Sequence, residues 1–503
     1  MNLLLLLEMA GAGDPDRVAF RGDGEEMTVA VLRRRALGVG AALAARGSST
    51  LVYGGTNGLA FPVAVFGAAA AGIPLVPVNY RLSRDRREEI LTHHPGALVV
   101  ADQAQLASLA ERGHDAIGTD DLLTLGETVA TDTVDPDPDT VAVLLYTSGT
   151  TSDPKAVVLR HRHLTSYVLS TVEYGSAAAA DAALVAVPPY HVAGVAHVLT
   201  NLYAGRRVVY LDTFDAAVWL DLVRGQGVTH AMVVPTMLAR IVDRLEADGV
   251  PPPPTLASIV YGGAAMPARV LERALLLFPD VDFVNAYGLT ETASTIALLG
   301  PDDHRRALDD PDPAVRERLR SAGRVVPGVE VEIRGPDGRV GDANHPGGIY
   351  VRGPQVSGEY LGEDGPSDPD GWFATRDNGY VDADGYLFVT GRDDDTIIKG
   401  GENIAPAEIE TVITTHPGVA DAAVVGVEDD EWGQRIVAVV VPVDGSGPTA
   451  EEIREWVRER LRGSRTPDAV AFRDALPYTE TGKLLRRSLR ADLQDRPGQP
   501  GAG

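Results

Sequence analysis

The chain alternates between short apolar runs and longer amphipathic segments through its first hundred residues. Residues 27–46 carry apolar side chains at helical spacing, and residues 50–53 form a short apolar run. Strands that alternate with helices build a mostly parallel sheet covered by helices on both faces. The predicted elements here are helix 27–46, strand 50–53, helix 61–71, strand 74–78, helix 84–93 and strand 97–101.

The same alternation resumes at residues 141–145, an apolar run that predicts a buried strand. Several later strands end in small or polar residues, in the segments PPYH, PT, GGAAMP and AYGLTE. Such ends favour a ligand crevice at the carboxyl ends of parallel strands. The predicted strands of this part are 183–187, 207–211, 230–234, 258–261 and 282–285.

The last third of the chain has a different composition. Residues 302–370 are rich in Gly, Pro and Asp and contain short alternating runs, which predicts a β-rich subdomain of antiparallel strands over about 302–392. Three consecutive acids at 393–395 indicate a domain boundary, and a small α+β pattern follows them. We therefore predict an α/β N-terminal domain at 1–392, a small α+β C-terminal domain at 393–493 and a disordered Gly/Pro-rich tail at 494–503.

Charge and cysteine content exclude several classes of function. With 45 basic and 71 acidic residues, the formal net charge is −26, which argues against nucleic acid and anionic membranes as partners. The absence of cysteine excludes disulfides and thiolate catalysis. The opening MNLLLLLEMAGAG has too short an apolar run for a signal peptide or a membrane span. We expect a cytoplasmic protein without membrane insertion.

The loop YTSGTTSDPK, residues 146–155, is the first candidate site. It presents five hydroxyls, one glycine and a terminal lysine directly after a predicted strand. Small residues let backbone N–H groups approach a polyphosphate, and Lys155 supplies a compact positive charge. The loop lacks the spacing of a P-loop NTPase. The alternative is an ordinary Ser/Thr-rich surface turn.

The chain contains only three lysines, Lys155, Lys399 and Lys483, so 42 of its 45 basic residues are arginines. Each lysine lies in a loop rich in glycine or hydroxyl residues, in YTSGTTSDPK, IIKGGENI and YTETGK. Because arginine supplies solvated positive charge elsewhere, the three lysines are candidates for sites that a planar guanidinium does not serve.

The segment YGLTE, residues 287–291, predicts a second site. Tyr287 is suited to stack on a purine, the Thr290 hydroxyl to reach a phosphate, and Glu291 to hold a Mg²⁺ ion. The alternative is a strand-to-helix turn in which Thr290 caps the helix.

Three further polar residues have two interpretations each. Asp377 is either an acceptor for ribose hydroxyls or a turn residue, and Arg392 either reaches the nucleotide or pairs with the acids at 393–395. His191, with apolar neighbours and no metal-ligand spacing, is either structural or positions a substrate acid.

Taken together, these motifs resemble the adenylate-forming (AMP-binding) acyl-CoA synthetase superfamily over residues 27–489. The resemblance rests on YTSGTTSDPK, PPYHVAG, AYGLTE, GWFATRD…GR and KGGENIAPAEIE in this order, with TETGK at the end. The residues of these motifs are most similar to those of benzoate-type and 4-chlorobenzoate CoA ligases.

The resemblance implies a small, mobile C-terminal domain and a reaction in two steps. A carboxylate attacks the α-phosphate of ATP, with Mg²⁺ as cofactor, and gives an acyl-adenylate and pyrophosphate. Coenzyme A then displaces AMP. A small aromatic or unsaturated acid is the implied substrate.

The resemblance also assigns roles to individual residues. For ATP or AMP it implies Thr147, Ser148, Gly149, Thr150, Thr151, Lys155, Gly262, Gly263, Ala264, Asn285, Ala286, Tyr287, Gly288, Thr290, Asp377, Arg392 and Lys483. For the acid it implies His191, Val234, Gly262, Ala265 and Gly288, and for coenzyme A it implies Gly400, Gly401 and Trp432. The implied catalytic residues are Lys483, Glu291, Thr290 and His191, the metal residues Glu291 and Thr150, and the hinge residue Asp394.

The chain departs from the family pattern in ways that bear on the acceptor. Arg376 replaces the usual Gly or Ser between Thr375 and Asp377, and Ser464-Arg465 replaces an aromatic-lysine pair in a region that contacts coenzyme A in relatives. The alternative to coenzyme A is therefore another acceptor, such as a carrier protein or an amine, or the activation of nitrite. A nucleotide-binding protein without catalysis is the third hypothesis, and a homodimer is left open.

Overall fold

The computed structural model describes residues 1–22, 24–127, 135–147, 155–363, 365, 367–399, 402–429, 432–443, 447–461, 463–479 and 482–494. Two large, mostly parallel sheets with helices on their faces form the N-terminal part, a four-stranded antiparallel sheet follows, and a small α+β unit ends the chain. The mixed α/β class expected from the sequence is confirmed.

The structure gives the following bounds. The strands are β1 (Val18–Gly22), β2 (Glu25–Thr28), β3 (Leu51–Gly54), β4 (Leu75–Pro77), β5 (Leu98–Ala101), β6 (Asp115–Gly118), β7 (Val141–Thr147), β8 (Lys155–Arg160), β9 (Ala182–Val185), β10 (Arg207–Tyr210), β11 (His230–Val233), β12 (Ser258–Gly262), β13 (Asp282–Leu289), β14 (Ser294–Leu299), β15 (Arg324–Val325), β16 (Glu330–Arg334), β17 (Gly347–Arg352), β18 (Phe373–Val381), β19 (Leu387–Arg392), β20 (Ile397–Lys399), β21 (Glu402–Ile404), β22 (Val419–Asp429), β23 (Gly433–Pro442) and β24 (Ala469–Phe472). The helices are α1 (Leu3–Gly13), α2 (Val29–Arg46), α3 (Ala60–Ala71), α4 (Arg84–Thr92), α5 (Gln103–Glu111), α6 (Thr119–Leu125), α7 (His161–Thr171), α8 (Val192–Ala204), α9 (Ala216–Gln226), α10 (Pro235–Asp248), α11 (Ala268–Leu277), α12 (Pro301–Asp309), α13 (Pro313–Glu317), α14 (Pro406–Thr414), α15 (Ala450–Arg460) and α16 (Arg486–Gln494).

The two large sheets have crossover topologies. One has the order β6-β5-β3-β4-β7-β8, and its pairs are parallel except for the β7–β8 hairpin. The other has the order β15-β14-β13-β12-β11-β9-β10-β1-β2, with parallel pairing from β13 to β1 and antiparallel strands at both edges. This order brings the carboxyl ends of β11, β12 and β13 side by side.

The helices pack closely because small residues line their contacts. Helix α3 is apolar on all sides and almost wholly buried, as expected of a helix enclosed by other elements. A Cβ atom on Gly67 would lie 2.6 Å from the Cγ1 of Val39, and one on Gly40 would lie 2.6 Å from the Cβ of Ala70. Glycine is therefore required where α2 crosses α3.

Several segments differ from the sequence expectation. Residues 27 and 28, predicted to begin a helix, belong to β2, and α2 begins at Val29. Strand β13 continues to Leu289, four residues past its predicted end, because β14 pairs antiparallel with that extension. The β-rich subdomain was expected from residue 302, but the chain first forms α12 and α13, each beginning with proline, and the antiparallel sheet β16-β17-β18-β19 starts only at Glu330. Proline tolerates the first helical turn because the N–H that it lacks has no partner there.

The small C-terminal unit packs α14, α15 and α16 on the sheet β22-β23-β24. Helix α15 begins with a capping box in which Thr449 and Glu452 satisfy each other's backbone N–H groups. None of the described helices combines the length and the apolar character that a bilayer span demands. Of the tail expected to be disordered at 494–503, Gln494 instead ends α16, and residues 495–503 lie outside the described residues.

Candidate active site

Several of the predicted site residues lie at or near the carboxyl ends of β11, β12 and β13. Val234 directly follows β11, Gly262 ends β12, and Gly263, Ala264 and Ala265 continue from it. Because neighbouring parallel strands end at the same edge, these residues border one crevice, as the sequence predicted.

Two glycines at this edge are required by packing. A Cβ atom on Gly262 would lie 2.3 Å from the carbonyl oxygen of Ala286, and one on Gly288 would lie 1.9 Å from that of Ser294. Gly263 has φ +81°, a conformation that disfavours residues with side chains. Backbone packing and backbone conformation are therefore sufficient to require these glycines. A role in letting a ligand approach the backbone is additional to that requirement.

Asp377 contacts Arg392, its cross-strand neighbour on β19, and Tyr287, which is 90 residues away in sequence. The Tyr287 hydroxyl donates to Oδ2 of Asp377 at 2.6 Å, and Nε of Arg392 forms an ion pair with Oδ1 at 2.9 Å. Burial raises the pKa of Asp377, and the Arg392 charge and the Tyr287 hydrogen bond oppose that shift. Arg392 thus pairs with the buried Asp377. Among the described side chains it forms no ion pair with Asp393 or Asp395, the alternative raised by the sequence.

Glu291 lies in a strained turn just after β13. Residues Thr290–Thr292 form one 3₁₀ turn, and the Thr292 hydroxyl, not that of Thr290, accepts the Leu289 N–H. Thr290 is the first residue of the turn and Leu289 holds the N-cap position, so the structure does not bear out the capping role considered for Thr290. The next residue, Ala293, has φ +55°, a conformation that residues with side chains rarely adopt and that recurs at functional sites.

Tyr360 holds the Glu291 carboxylate and was not found by sequence analysis. Its hydroxyl donates to Oε1 of Glu291 at 2.7 Å, and its ring lies 5.5 Å from Nζ of Lys155. Burial and the nearby Glu291 charge raise the pKa of Tyr360, so the phenol remains a proton donor at neutral pH. One aromatic side chain therefore contacts both the candidate metal residue and the candidate phosphate lysine.

Lys155 begins β8, and its ammonium group is paired with Glu363. The distance from Nζ to Oε1 of Glu363 is 2.8 Å, and both side chains are partly exposed. The predicted loop residues Ser148, Gly149, Thr150, Thr151 and Ser152 lie outside the described residues, whereas Thr147 ends β7 directly opposite Lys155.

We expect Glu363→Gln to tighten the binding of ATP. An exposed ion pair is worth at most about 1 kcal/mol, whereas a polyphosphate offers several oxygens, so the phosphates should displace Glu363 from Lys155. Removal of the competing charge should lower the dissociation constant of ATP about threefold, measured by calorimetry in EDTA without any acid.

Glu359→Gln is the matched control for this prediction. Glu359 lies in the same segment but pairs with Arg160, at 2.7 Å, and not with Lys155. An equal effect of both substitutions would show that segment 359–363 acts through its general charge rather than through Lys155.

His191 has a structural contact and also faces the site. Its Nδ1 accepts the N–H of Ala193 at 3.3 Å and so caps α8. Burial, with the Lys483 charge as a smaller cause, lowers the pKa of His191, which is therefore neutral at pH 7. The structural interpretation of His191 is therefore confirmed, and its role in positioning a substrate acid stays a prediction.

Lys483 reaches the same crevice from the C-terminal unit. The turn that carries it is closed by a 2.8 Å hydrogen bond from the Thr479 N–H to the Lys483 carbonyl. A Cβ atom on Gly482 would lie 3.1 Å from the Cβ of Val234, so the turn rests on the end of β11. Burial and Arg392 lower the pKa of Lys483, while Asp395, Asp377 and Glu291 oppose the shift.

The other predicted residues are less directly placed. Asn285 donates its side-chain amide to the carbonyl of Ser321, and Ala286 is half-buried beside Gly262. Trp432 is half-exposed on the C-terminal unit, and Lys399 is paired with Asp468 at 2.6 Å. Gly400, Gly401 and the Asp394 side chain lie outside the described part of the chain.

Two comparisons show which proteins the chain is similar to. Residues 7–361 match the family described as AMP-binding enzyme, and residues 408–483 match the AMP-binding enzyme C-terminal domain. A fatty acid–[acyl-carrier-protein] ligase from Streptomyces coeruleorubidus is 34% identical over 95% of this chain and 93% of its own length. A feruloyl-CoA synthase from an Amycolatopsis species is 34% identical over 95% of this chain and 96% of its own.

Among solved structures, the o-succinylbenzoate CoA synthetase of Bacillus subtilis, in complex with its acyl-adenylate intermediate, superposes with a TM-score of 0.82. It is 29% identical, and the match covers 96% of this chain and 97% of that one.

Proposed function

The chain belongs to the AMP-binding enzyme family, and from that premise we propose that it is an AMP-forming acid–CoA ligase for a small aromatic or unsaturated carboxylic acid. The observation that carries this proposal is the convergence of Glu291, Asp377 and Lys483, from three distant parts of the sequence, on one crevice. The two ligases and the synthetase to which it is similar support an acid as substrate.

In the first step, a carboxylate oxygen of the acid attacks the α-phosphorus of ATP, and the bond from that phosphorus to the bridging oxygen breaks. Pyrophosphate leaves with the bond electrons. We assign Asp377, with Arg392, to the ribose hydroxyls, Lys155 to the outer phosphates and Lys483 to the charge on the α-phosphate and the carboxylate. Such chemistry needs positioning and charge neutralisation more than covalent catalysis.

In the second step, the sulfur of coenzyme A attacks the acyl carbonyl carbon, and the bond from that carbon to the phosphate oxygen breaks, which releases AMP. The thiol loses its proton as the thioester forms. We propose that the C-terminal unit turns about Asp394 between the steps and removes Lys483 from the crevice. The separate matches at 7–361 and 408–483 support a division of the chain near 392.

A Mg²⁺ ion fits Glu291 together with the ATP phosphates. Within the described ranges no cluster of three His, Asp or Glu side chains could hold a metal alone. Mg²⁺ in phosphoryl-transfer sites takes one or two carboxylates, substrate phosphates and water, and Glu291 offers a carboxylate whose Oε1 is already oriented by Tyr360. Bound there, the ion neutralises phosphate charge.

Pyrophosphate release across benzoic, cinnamic and short aliphatic acids, each with and without coenzyme A, tests the proposal. We expect release with an aromatic class, coupled to a thioester detected by mass spectrometry. Pyrophosphate release that does not depend on coenzyme A would point instead to a reaction with a carrier protein, an amine or nitrite. ATP binding without release for any acid would contradict the enzyme assignment. A homodimer and a cytoplasmic location stay predictions.

A further inference from the structure

Below the candidate active site, the part of one face of the nine-stranded sheet formed by β11, β12 and β13 is left out of the hydrophobic cores. On β11, β12 and β13, Ala231, Ile259 and Phe283 point into the core that α9, α10 and α11 cover. The side chains that alternate with them, Met232, Val260 and Val284, lie on the other face. They stand in one row across the three strands, are only half-buried and belong to none of the described cores.

His197 faces this row from helix α8. Its neighbours Ala196 and Val198 are buried, but part of the His197 surface remains accessible, and its Nε2 lies 2.8 Å from Sδ of Met232. Burial nevertheless lowers the pKa of His197 to about 4. A side chain surrounded by protein that keeps accessible surface borders an internal crevice.

This crevice leads away from the place where the carboxylate of the acid reacts. The Lys483 turn touches Val234 and acts electrostatically on His191, so the end of β11 and the start of α8 meet at that turn. His197 lies six residues farther along α8, about 9 Å. Met232 lies two residues back along β11, about 7 Å. The contact of His197 with Met232 therefore lies about 7 to 9 Å from the Lys483 turn, as measured along β11 and α8.

The hydrogen bonds around His197 fix which nitrogen carries its proton. Nη1 of Arg206 donates to Oδ1 of Asn201 at 3.1 Å, which turns the Asn201 amide nitrogen toward Nδ1 of His197 at 3.3 Å. Nδ1 accepts there, so in the neutral imidazole Nε2 bears the hydrogen. That N–H points into the crevice, and its partner is a thioether, a weak acceptor.

We propose that His197 is a specificity-determining residue that donates a hydrogen bond from Nε2 to an oxygen at the far end of the acid. The row of Met232, Val260 and Val284 forms an apolar wall suited to a flat ring. The substrate class is an aromatic acid with a polar oxygen opposite its carboxylate. The depth favours 4-hydroxycinnamic acid over 4-hydroxybenzoic acid, which is two carbons shorter. The inference rests on the proposed function and specifies its substrate.

The test compares kcat/KM for 4-hydroxycinnamic and cinnamic acid in pyrophosphate release. The native enzyme should prefer the hydroxylated acid at least about tenfold, since a lost hydrogen bond in a buried site costs at least about that factor. His197→Leu should lose this preference while kcat/KM for cinnamic acid and the KM for ATP change less than about threefold. His197→Gln, which keeps an N–H donor, should retain part of the preference.

Met232→Leu is the matched control, because it removes the sulfur but keeps the volume, and it should preserve the preference. A native enzyme indifferent to the hydroxyl, or an equal loss for both acids in His197→Leu and His197→Gln, would overturn the role of His197 while pyrophosphate release leaves the ligase assignment standing. Absence of release with every acid would overturn both.

Discussion

We expect Lys483→Ala to lower the rate of acyl-adenylate formation by about 10²- to 10³-fold, the loss typical when one preorganised charge-stabilising donor is removed. The Lys483 ammonium group lies where it interacts electrostatically with Asp377 and Glu291, and no ion pair holds it among the described side chains. It is therefore free to neutralise charge that develops between the carboxylate and the α-phosphate. Acid-dependent exchange of labelled pyrophosphate into ATP measures this step.

The same variant should convert pre-formed acyl-adenylate to thioester within about threefold of the native rate, because a lysine that has left the crevice contributes nothing to the second step. Arg473→Ala is the matched control. It removes one positive charge from the same unit, where Arg473 pairs with Asp492 at 3.2 Å, and should leave both steps unchanged. Equal loss of the two steps in Lys483→Ala would contradict a turning C-terminal unit.

Most of the parallel architecture followed from local pattern. Several strands of the two large sheets are four-residue apolar runs, such as Leu98–Ala101 and Ala182–Val185, whose side chains are buried on both faces. For β3, β4, β5, β7, β9, β10, β11 and β12 the predicted ends agree with the structure within two residues, whereas the parallel strands β1 and β6 were not predicted. The extension of β13 could not be predicted, since it depends on pairing with β14 and its residues, 286–289, are not fully buried.

Sequence analysis missed helices α12 and α13 because of the composition of the wider window, although a local signal for a helix start was present. Pro301 followed by Asp302 and Asp303 is a proline at the first helical position with acids in the first turn, which favours a helix start. The high content of Gly, Pro and Asp in the wider window pointed to strands and turns instead. The order of residues 301–303 was therefore more informative about secondary structure than the average composition of the window around them.

Site residues that belong to a recognisable local motif could be predicted from the sequence. Site residues that are brought in from distant segments were missed. Tyr360 reaches Glu291 across 69 residues, and Glu363 reaches Lys155 across 208. Neither residue type is unusual in its local sequence. His197 was missed for the same reason, because only the fold brings Met232 to its ring, although Asn201 lies one helical turn away on α8.

We expect Asp377→Asn to raise the KM for ATP by about 10- to 150-fold, since a charge-assisted hydrogen bond of about 1.5 to 3 kcal/mol to the ribose would be lost. The substitution keeps the shape of the side chain but removes the charge that faces Arg392 at 2.9 Å. It also replaces one acceptor oxygen by an NH₂ group, which cannot accept the Tyr287 proton. Initial rates of pyrophosphate release over a range of ATP concentrations measure the effect.

The pH dependence distinguishes loss of the carboxylate from a general loss of structure. Burial is the largest influence on Asp377 and raises its pKa, so the carboxylate takes up a proton at a higher pH than an ordinary aspartate does. In the native enzyme the KM for ATP should therefore rise as the pH falls through that raised pKa, because the protonated group accepts the ribose hydroxyls poorly. Asp377→Asn lacks this titration and should show a flat profile there.

Asp384→Asn is the matched control. Asp384 is an exposed acid of the same antiparallel sheet region and pairs with Arg318, so this variant should keep the native profile. A native-like acid limb in Asp377→Asn would assign the titration to another group and remove Asp377 from the ribose site.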